Sequence, residues 1–141
     1  MDGDFSHSPE HIADLLEKRK VFDLVIGSRY INNAKTENWT LWRKSLSLLG
    51  NWYLGVSLSI PIKDITGGFN ALDAETFRSV MDDLKLKGYA FTPELKYRLY
   101  KKGSSYVEVP ILFKNRRAGK SKLSFFSLAQ AIFEFPKIGP R

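Results

Sequence analysis

The chain has 141 residues, 43% of them hydrophobic, with ten Phe, six Tyr and three Trp. That is one domain or part of one, with apolar mass for a sizeable core, so a disordered chain is excluded; the absence of Cys excludes disulfides, thiol chemistry and thiolate zinc sites. The net charge of +7 is uneven: residues 96–141 hold eleven Lys/Arg against Glu108 and Glu134, while residues 1–95 hold eleven against thirteen acidic residues, so the basic part points to a phosphate-bearing partner such as nucleic acid, anionic lipid or a phosphorylated substrate.

The first residues, Met1-Asp2-Gly3-Asp4, place two carboxylates around one small residue. Such a pair can reach a hard divalent cation, but on its own it reads first as a solvated terminus. No basic leader followed by an apolar stretch opens the chain, so no signal peptide is expected. His7 and His11, four apart with no third ligand nearby, make a poor zinc site and read as solvated histidines at a helix end. Ser8-Pro9-Glu10 predicts a helix start with Ser8 as the cap, running to about Lys20 with Ile12, Leu15 and Leu16 on its apolar face.

"FDLVIGSRY" reads as a short buried strand ending at Gly27-Ser28, and "INNAKTEN" as a polar loop. From Leu41 to about Leu58, Leu46, Leu49, Tyr53 and Val56 recur at helical steps, and Pro61 ends the element. Ser45–Ile62 is uncharged, but four Ser, two Gly, an Asn and a Pro make it too polar for a membrane span. A buried helix with one greasy face is expected there, with contact to a lipid surface as the other option. "DITGGF" is a glycine turn leading into the strand "FNALD"; "AETFRSVMDDL" is a helix. "TPELKYRLYKKG" is a second helix, opened by Thr92 and Pro93 and closed by Gly103; "SYVEVPILF" alternates like a strand. "KNRRAGKSK" is a basic loop, and "LSFFSLAQAIFEF" an amphipathic helix. Strands alternating with helices predict an α/β layered domain with a mixed sheet flanked by helices, short of strands for such a sheet.

In order, "MDGDFSHSPE", "FDLVIGSRY", "WRKSLSLLGNWY", "DITGGFNAL", "GYAFTPEL", "VEVPILF" and "RRAGKSKLS" resemble the dolichyl-phosphate (polyprenyl-phosphate) mannose synthases of the family-two, GT-A-fold glycosyltransferases, over nearly the whole chain. The resemblance implies that residues 1–141 are the C-terminal part of one catalytic domain, a partial GT-A fold lacking the nucleotide-binding half that precedes the D-x-D motif. It implies an inverting transfer of mannose from GDP-mannose to dolichyl or polyprenyl phosphate, by a protein peripheral at the cytoplasmic face of the membrane. Transfer of another sugar, such as glucose, and a non-catalytic truncated fragment are the alternatives. A nucleic-acid binder, suggested by charge alone, has no binding motif behind it, and no nucleic-acid partner is expected.

The same resemblance assigns the site. Asp2 and Asp4 hold Mg²⁺ or Mn²⁺; Ser6, where some relatives carry Gln, is not assigned. Arg29, Arg43 and, one helical turn on, Ser47 bind the acceptor phosphate, joined by Arg116 and Lys122 of R-x-x-G-x-S-K; a planar guanidinium grips phosphate with two bonds. Asp64 and Arg116 are the catalytic candidates, Asp64 orienting the acceptor or interacting with the metal site; its plainer reading is a turn-capping aspartate. Asn70 stands where the family commonly has Arg. Glu94 reads as a structural or positioning residue rather than a base, because a phosphate monoester is already a nucleophile near neutral pH. As isolated residues, the arginines read as surface charges and "RRAGKSK" as a solvated run.

Overall fold

A computed structural model of the chain describes residues 6–114. The expected α/β organisation is present as a mixed sheet with flanking helices. Helix α1 (Glu10–Arg19) leads into strand β1 (Leu24–Ser28), followed by β2 (Lys35–Thr36), α2 (Leu41–Leu58), β3 (Asn70–Leu72) and α3 (Ala74–Met81). A 3-10 turn over Gly88–Ala90 runs into α4 (Phe91–Lys101), and β4 (Tyr106–Pro110) and β5 (Leu112–Phe113) follow. β1 is central, antiparallel to β3 and parallel to β4; β2 and β5 form a separate parallel pair.

β1 is buried at every position, as expected of a strand covered on both faces. Leu24 and Ile26 point into the larger core with Leu54, Leu58, Ile65, Val80 and Leu99 of the α2, α3 and α4 side. Val25 points the other way, to Leu15 of α1, Phe69 and Ile111. This two-residue alternation makes three layers, α1 against one face and the other helices against the second. Gly27 sits where strand and turn press together: a Cβ there would meet the Phe69 ring at 2.6 Å.

Several local expectations are corrected. Ser8 does not cap α1 with its side chain; Pro9 is the cap residue, and the Ser8 carbonyl accepts from His11 N–H instead. The histidines are not solvated: His7 is buried, stacked on Phe69 and edge-on to Phe113, and His11 Nε2 accepts from the Leu112 N–H at 3.0 Å. Pairing along β5 draws them in, a long-range contact no local pattern reveals. "SYVEVPILF" is two strands in two sheets, divided after Pro110, and the loop "INNAKTEN" supplies β2, whose Lys35 N–H donates to the Ile111 carbonyl. α2 spans Leu41–Leu58 as expected, but Ser59 in the left-handed region closes it, rather than Pro61. Its buried side is Gly50, Asn51, Leu54 and Leu58, whereas Leu49 and Val56 of the expected apolar stripe are exposed. α4 begins at Phe91, ahead of Thr92 and Pro93.

Candidate active site

The site is built around the irregular segment Lys63–Gly68 between α2 and β3. A buried turn of this kind has no ladder to satisfy its backbone, so side chains must supply partners. They come from three elements. Glu108 of β4 accepts from the N–H groups of Lys63 and Asp64, both at 3.0 Å. Asn51 of α2 accepts with one oxygen from Ile65 at 2.8 Å and Thr66 at 3.0 Å, while its amide nitrogen donates to the Ser47 carbonyl and Thr66 Oγ1. Lys96 of α4, wholly buried, donates through Nζ to the carbonyls of Asp64 at 2.6 Å and Gly67 at 2.8 Å.

What the turn presents is Asp64. Its carboxylate is wholly buried and gripped two-pronged by Arg29, Nε to Oδ2 at 2.9 Å and a terminal nitrogen to Oδ1 at 2.7 Å. The Arg29 backbone N–H adds a bond to Oδ2, and the Gly67 N–H one to Oδ1 at 3.0 Å. Asp64 therefore also caps its turn, as its plainer reading held. Gly67 is required here because a Cβ would lie 2.8 Å from Asp64 Oδ1. Burial disfavours the Asp64 charge, but the Arg29 guanidinium outweighs it and holds the carboxyl below the usual carboxylate range. Burial likewise works against the Arg29 charge, and Asp64 more than compensates.

Arg29 is further enclosed by rings: its guanidinium carbon lies 5.1 Å from the centre of Tyr30, and 5.6 Å from those of Trp39 and Phe113. Arg43, on the first turn of α2, packs on the same Trp39 ring at 4.5 Å. One indole thus touches two guanidinium groups fourteen positions apart in sequence, an arrangement favoured by the ring quadrupole. Ser47 Oγ and Tyr30 Oη are 2.6 Å apart; burial pushes the Tyr30 phenol up against the opposing pull of Arg29.

Arg29, Arg43, Ser47 and Asp64, assigned separately along the chain, are therefore joined by Trp39, Tyr30 and the turn. Asp2, Asp4, Arg116 and Lys122 lie outside the described residues. Among the described residues no group of three or more His, Asp or Glu is placed to hold a metal. Glu94 is buried and accepts from the Lys85 and Leu86 N–H groups through one oxygen, with Arg98 on the other, a structural task. Asn70 donates to the Gly67 carbonyl.

Sequence reasoning missed the residues that hold the turn. Asn51 shares a helical face with Leu54 and Leu58, and Lys96 with Pro93 and Leu99, so a polar residue inside an apolar stripe was the available signal. Glu108 alternates with Val107 and Val109, which put it on the face of β4 toward the larger core. Trp39, in a polar loop, gave no periodic signal.

No protein-family model matches the chain. Over 140 residues it is 39% identical to the undecaprenyl-phosphate mannosyltransferase of Micrococcus luteus, covering 99% of this chain and 58% of that protein. Over 143 residues it is 38% identical to the polyprenol monophosphomannose synthase of Mycolicibacterium smegmatis, covering 100% and 54%. The chain thus spans about half the length of the curated relatives it matches. The family expected from the motifs and the names of the proteins found by comparison coincide: the chain is similar along its whole length to two proteins named as polyprenyl-phosphate mannose transferases, and corresponds to about half of each.

Proposed function

We propose that residues 1–141 form the C-terminal part of a GT-A catalytic domain that transfers mannose from GDP-mannose to a polyprenyl phosphate, dolichyl or bacterial, with inversion at the sugar. The observation that carries this reading is the contact network joining Arg29, Arg43, Ser47 and Asp64, together with the names of the two relatives. Asp64 aims the Arg29 guanidinium, and Trp39 sets Arg43 beside it. The two cations receive the acceptor phosphate, whose second pKa near ~6 makes it largely dianionic at neutral pH. An oxygen of that phosphate attacks the anomeric carbon of mannose; the bond from that carbon to GDP breaks, and GDP leaves with the electron pair. No proton has to be removed from the nucleophile, so the chain's contribution is positioning and charge.

Arg116 and Lys122 complete the phosphate site in this reading. Mg²⁺ or Mn²⁺, with Asp2 and Asp4 as its proposed ligands, supplies charge to the leaving diphosphate when bound.

The lipid tail implies a membrane surface, at the cytoplasmic face in this proposal. No helix of the described residues is long and apolar enough to cross a membrane. The outer face of α2 supports surface docking: Leu41, Trp42, Leu49, Trp52 and Val56 are exposed along one side of the helix, a pattern suited to lying in a lipid interface.

The test is incubation of the native polypeptide with labelled GDP-mannose, Mn²⁺ and polyprenyl phosphate. A mannosyl lipid is expected. Label transferred only from a glucose donor would redirect the reading to another sugar, and no transfer from any donor would leave a non-catalytic fragment.

A further inference from the structure

Lys96 is a buried cation to which the proposed chemistry gives no task. Its ammonium is closed off from solvent and bonded to two neutral carbonyls of the turn. Among the described residues, the charged groups facing it are Asp64 in the turn, Arg29 after β1 and Glu108 on β4. Two carbonyl acceptors do not call for a charge, since an amide supplies donors as well. The charge is also disfavoured where it sits: burial pushes the Lys96 amine down to about 8, Asp64 pulls it back up, Arg29 adds to the depression, and Glu108 opposes it. A charge kept at a cost, where neutral donors would serve, points to a use for the charge itself.

The neighbours indicate that use. Asp64 holds Arg29, and in the proposed reaction an acceptor phosphate meets the same guanidinium. A dianion arriving there faces a buried carboxylate across one shared cation, and the two anions repel. We infer that Lys96 is a positioning residue for the acceptor phosphate, its ammonium offsetting the Asp64 carboxylate so that Arg29 serves a dianion, while its two carbonyl bonds hold the turn that aims Asp64. This inference rests on the proposed function and adds the residue that tunes it.

The experiment uses the native polypeptide with farnesyl phosphate as the probe, following the Arg29 Nε–H resonance for binding and mannosyl transfer for turnover. Lys96→Gln keeps hydrogen-bond donors without the charge, and Lys96→Met removes both. Both variants are expected to weaken farnesyl phosphate binding about tenfold at pH 8, with acceptor KM rising in proportion and kcat within about twofold of the parent. The loss is expected to shrink toward pH 5.5, where the probe is largely a monoanion. Affinity restored by Lys96→Gln but not Lys96→Met assigns Lys96 to holding the turn alone and overturns the charge role. Unchanged affinity in both overturns the whole inference.

Should neither variant fold, the parent protein still decides. Farnesyl phosphate must then raise the Lys96 pKa, because coupling between two bound charges is reciprocal; an unmoved titration overturns the inference. A response at Arg29 that ignores Lys96 removes this inference alone. No response at Arg29 in the parent removes the proposed function and this inference with it.

Discussion

The two sides of α2 are built by opposite rules. The inner side carries Asn51 between Ser47 and Leu54, and uses polar atoms to hold the buried segment that presents Asp64. The outer side carries Trp42 and Trp52, 75% and 65% exposed, with Leu49 and Val56 beside them. An ordinary amphipathic helix places polar groups outside and apolar groups inside. Here one polar residue is buried because a turn needs its hydrogen bonds, and large apolar residues are exposed where nothing among the described residues covers them. The contrast teaches that the inner side is organised for the geometry of the turn, whereas the apolar groups of the outer side take no part in the core of the described residues.

That contrast can be broken by substitution, and the largest effect is expected at the turn itself. Asp64→Ala leaves Arg29 buried without its counter-ion and should destabilise by about 3–5 kcal/mol, measured by urea unfolding. Asn51→Ala removes the acceptor of two buried N–H groups and should cost about 2–4 kcal/mol by the same measurement. Gly67→Ala forces a Cβ against the Asp64 carboxylate, with an expected cost of about 1–3 kcal/mol. A paired Leu49→Ser and Val56→Ser change on the outer side should move stability by no more than about 0.5 kcal/mol while lowering retention on anionic lipid vesicles. Unfolding by the outer pair, or indifference at Asn51, would erase the distinction between the two sides.

Titration sharpens it further. The Asp64 pKa is lowered in the folded state, so its contribution is present above the unfolded value near ~3.9 and is lost as pH falls through the folded one. Lys96 has the opposite sense from a salt-bridged lysine. Its folded pKa of about 8 lies below the unfolded value of 10.5, so the folded state binds fewer protons between them and stability rises with pH across that window. Urea midpoints from pH 7 to 10 should show a rise in the parent protein that is absent from Lys96→Met.

The contrast also marks what was legible in the sequence. β1, α3 and the extent of α2 follow from local patterns, since burial on both faces and helical spacing write themselves into neighbouring residues. Asp64, Arg29, Arg43 and Ser47 were singled out through motif order alone. Their common location was not, because it depends on Trp39, Asn51, Lys96 and Glu108 reaching in from four different segments. The orientation of α2 was misread for a related reason. Its stripe of Leu46, Leu49, Tyr53 and Val56 is a genuine helical pattern, but burial followed Asn51, Leu54 and Leu58 instead. His7 and His11 were misplaced because pairing with β5 bridges about a hundred residues of chain.

The most direct measurement is the acceptor dependence of mannosyl transfer in the native polypeptide, parent against Arg29→Met. A loss of about a hundredfold or more in kcat/KM for polyprenyl phosphate is expected, an effect of ~2.7 kcal/mol on the transition state, with GDP-mannose affinity unchanged. An Arg29→Met protein that folds and uses the acceptor as well as its parent would contradict that expectation.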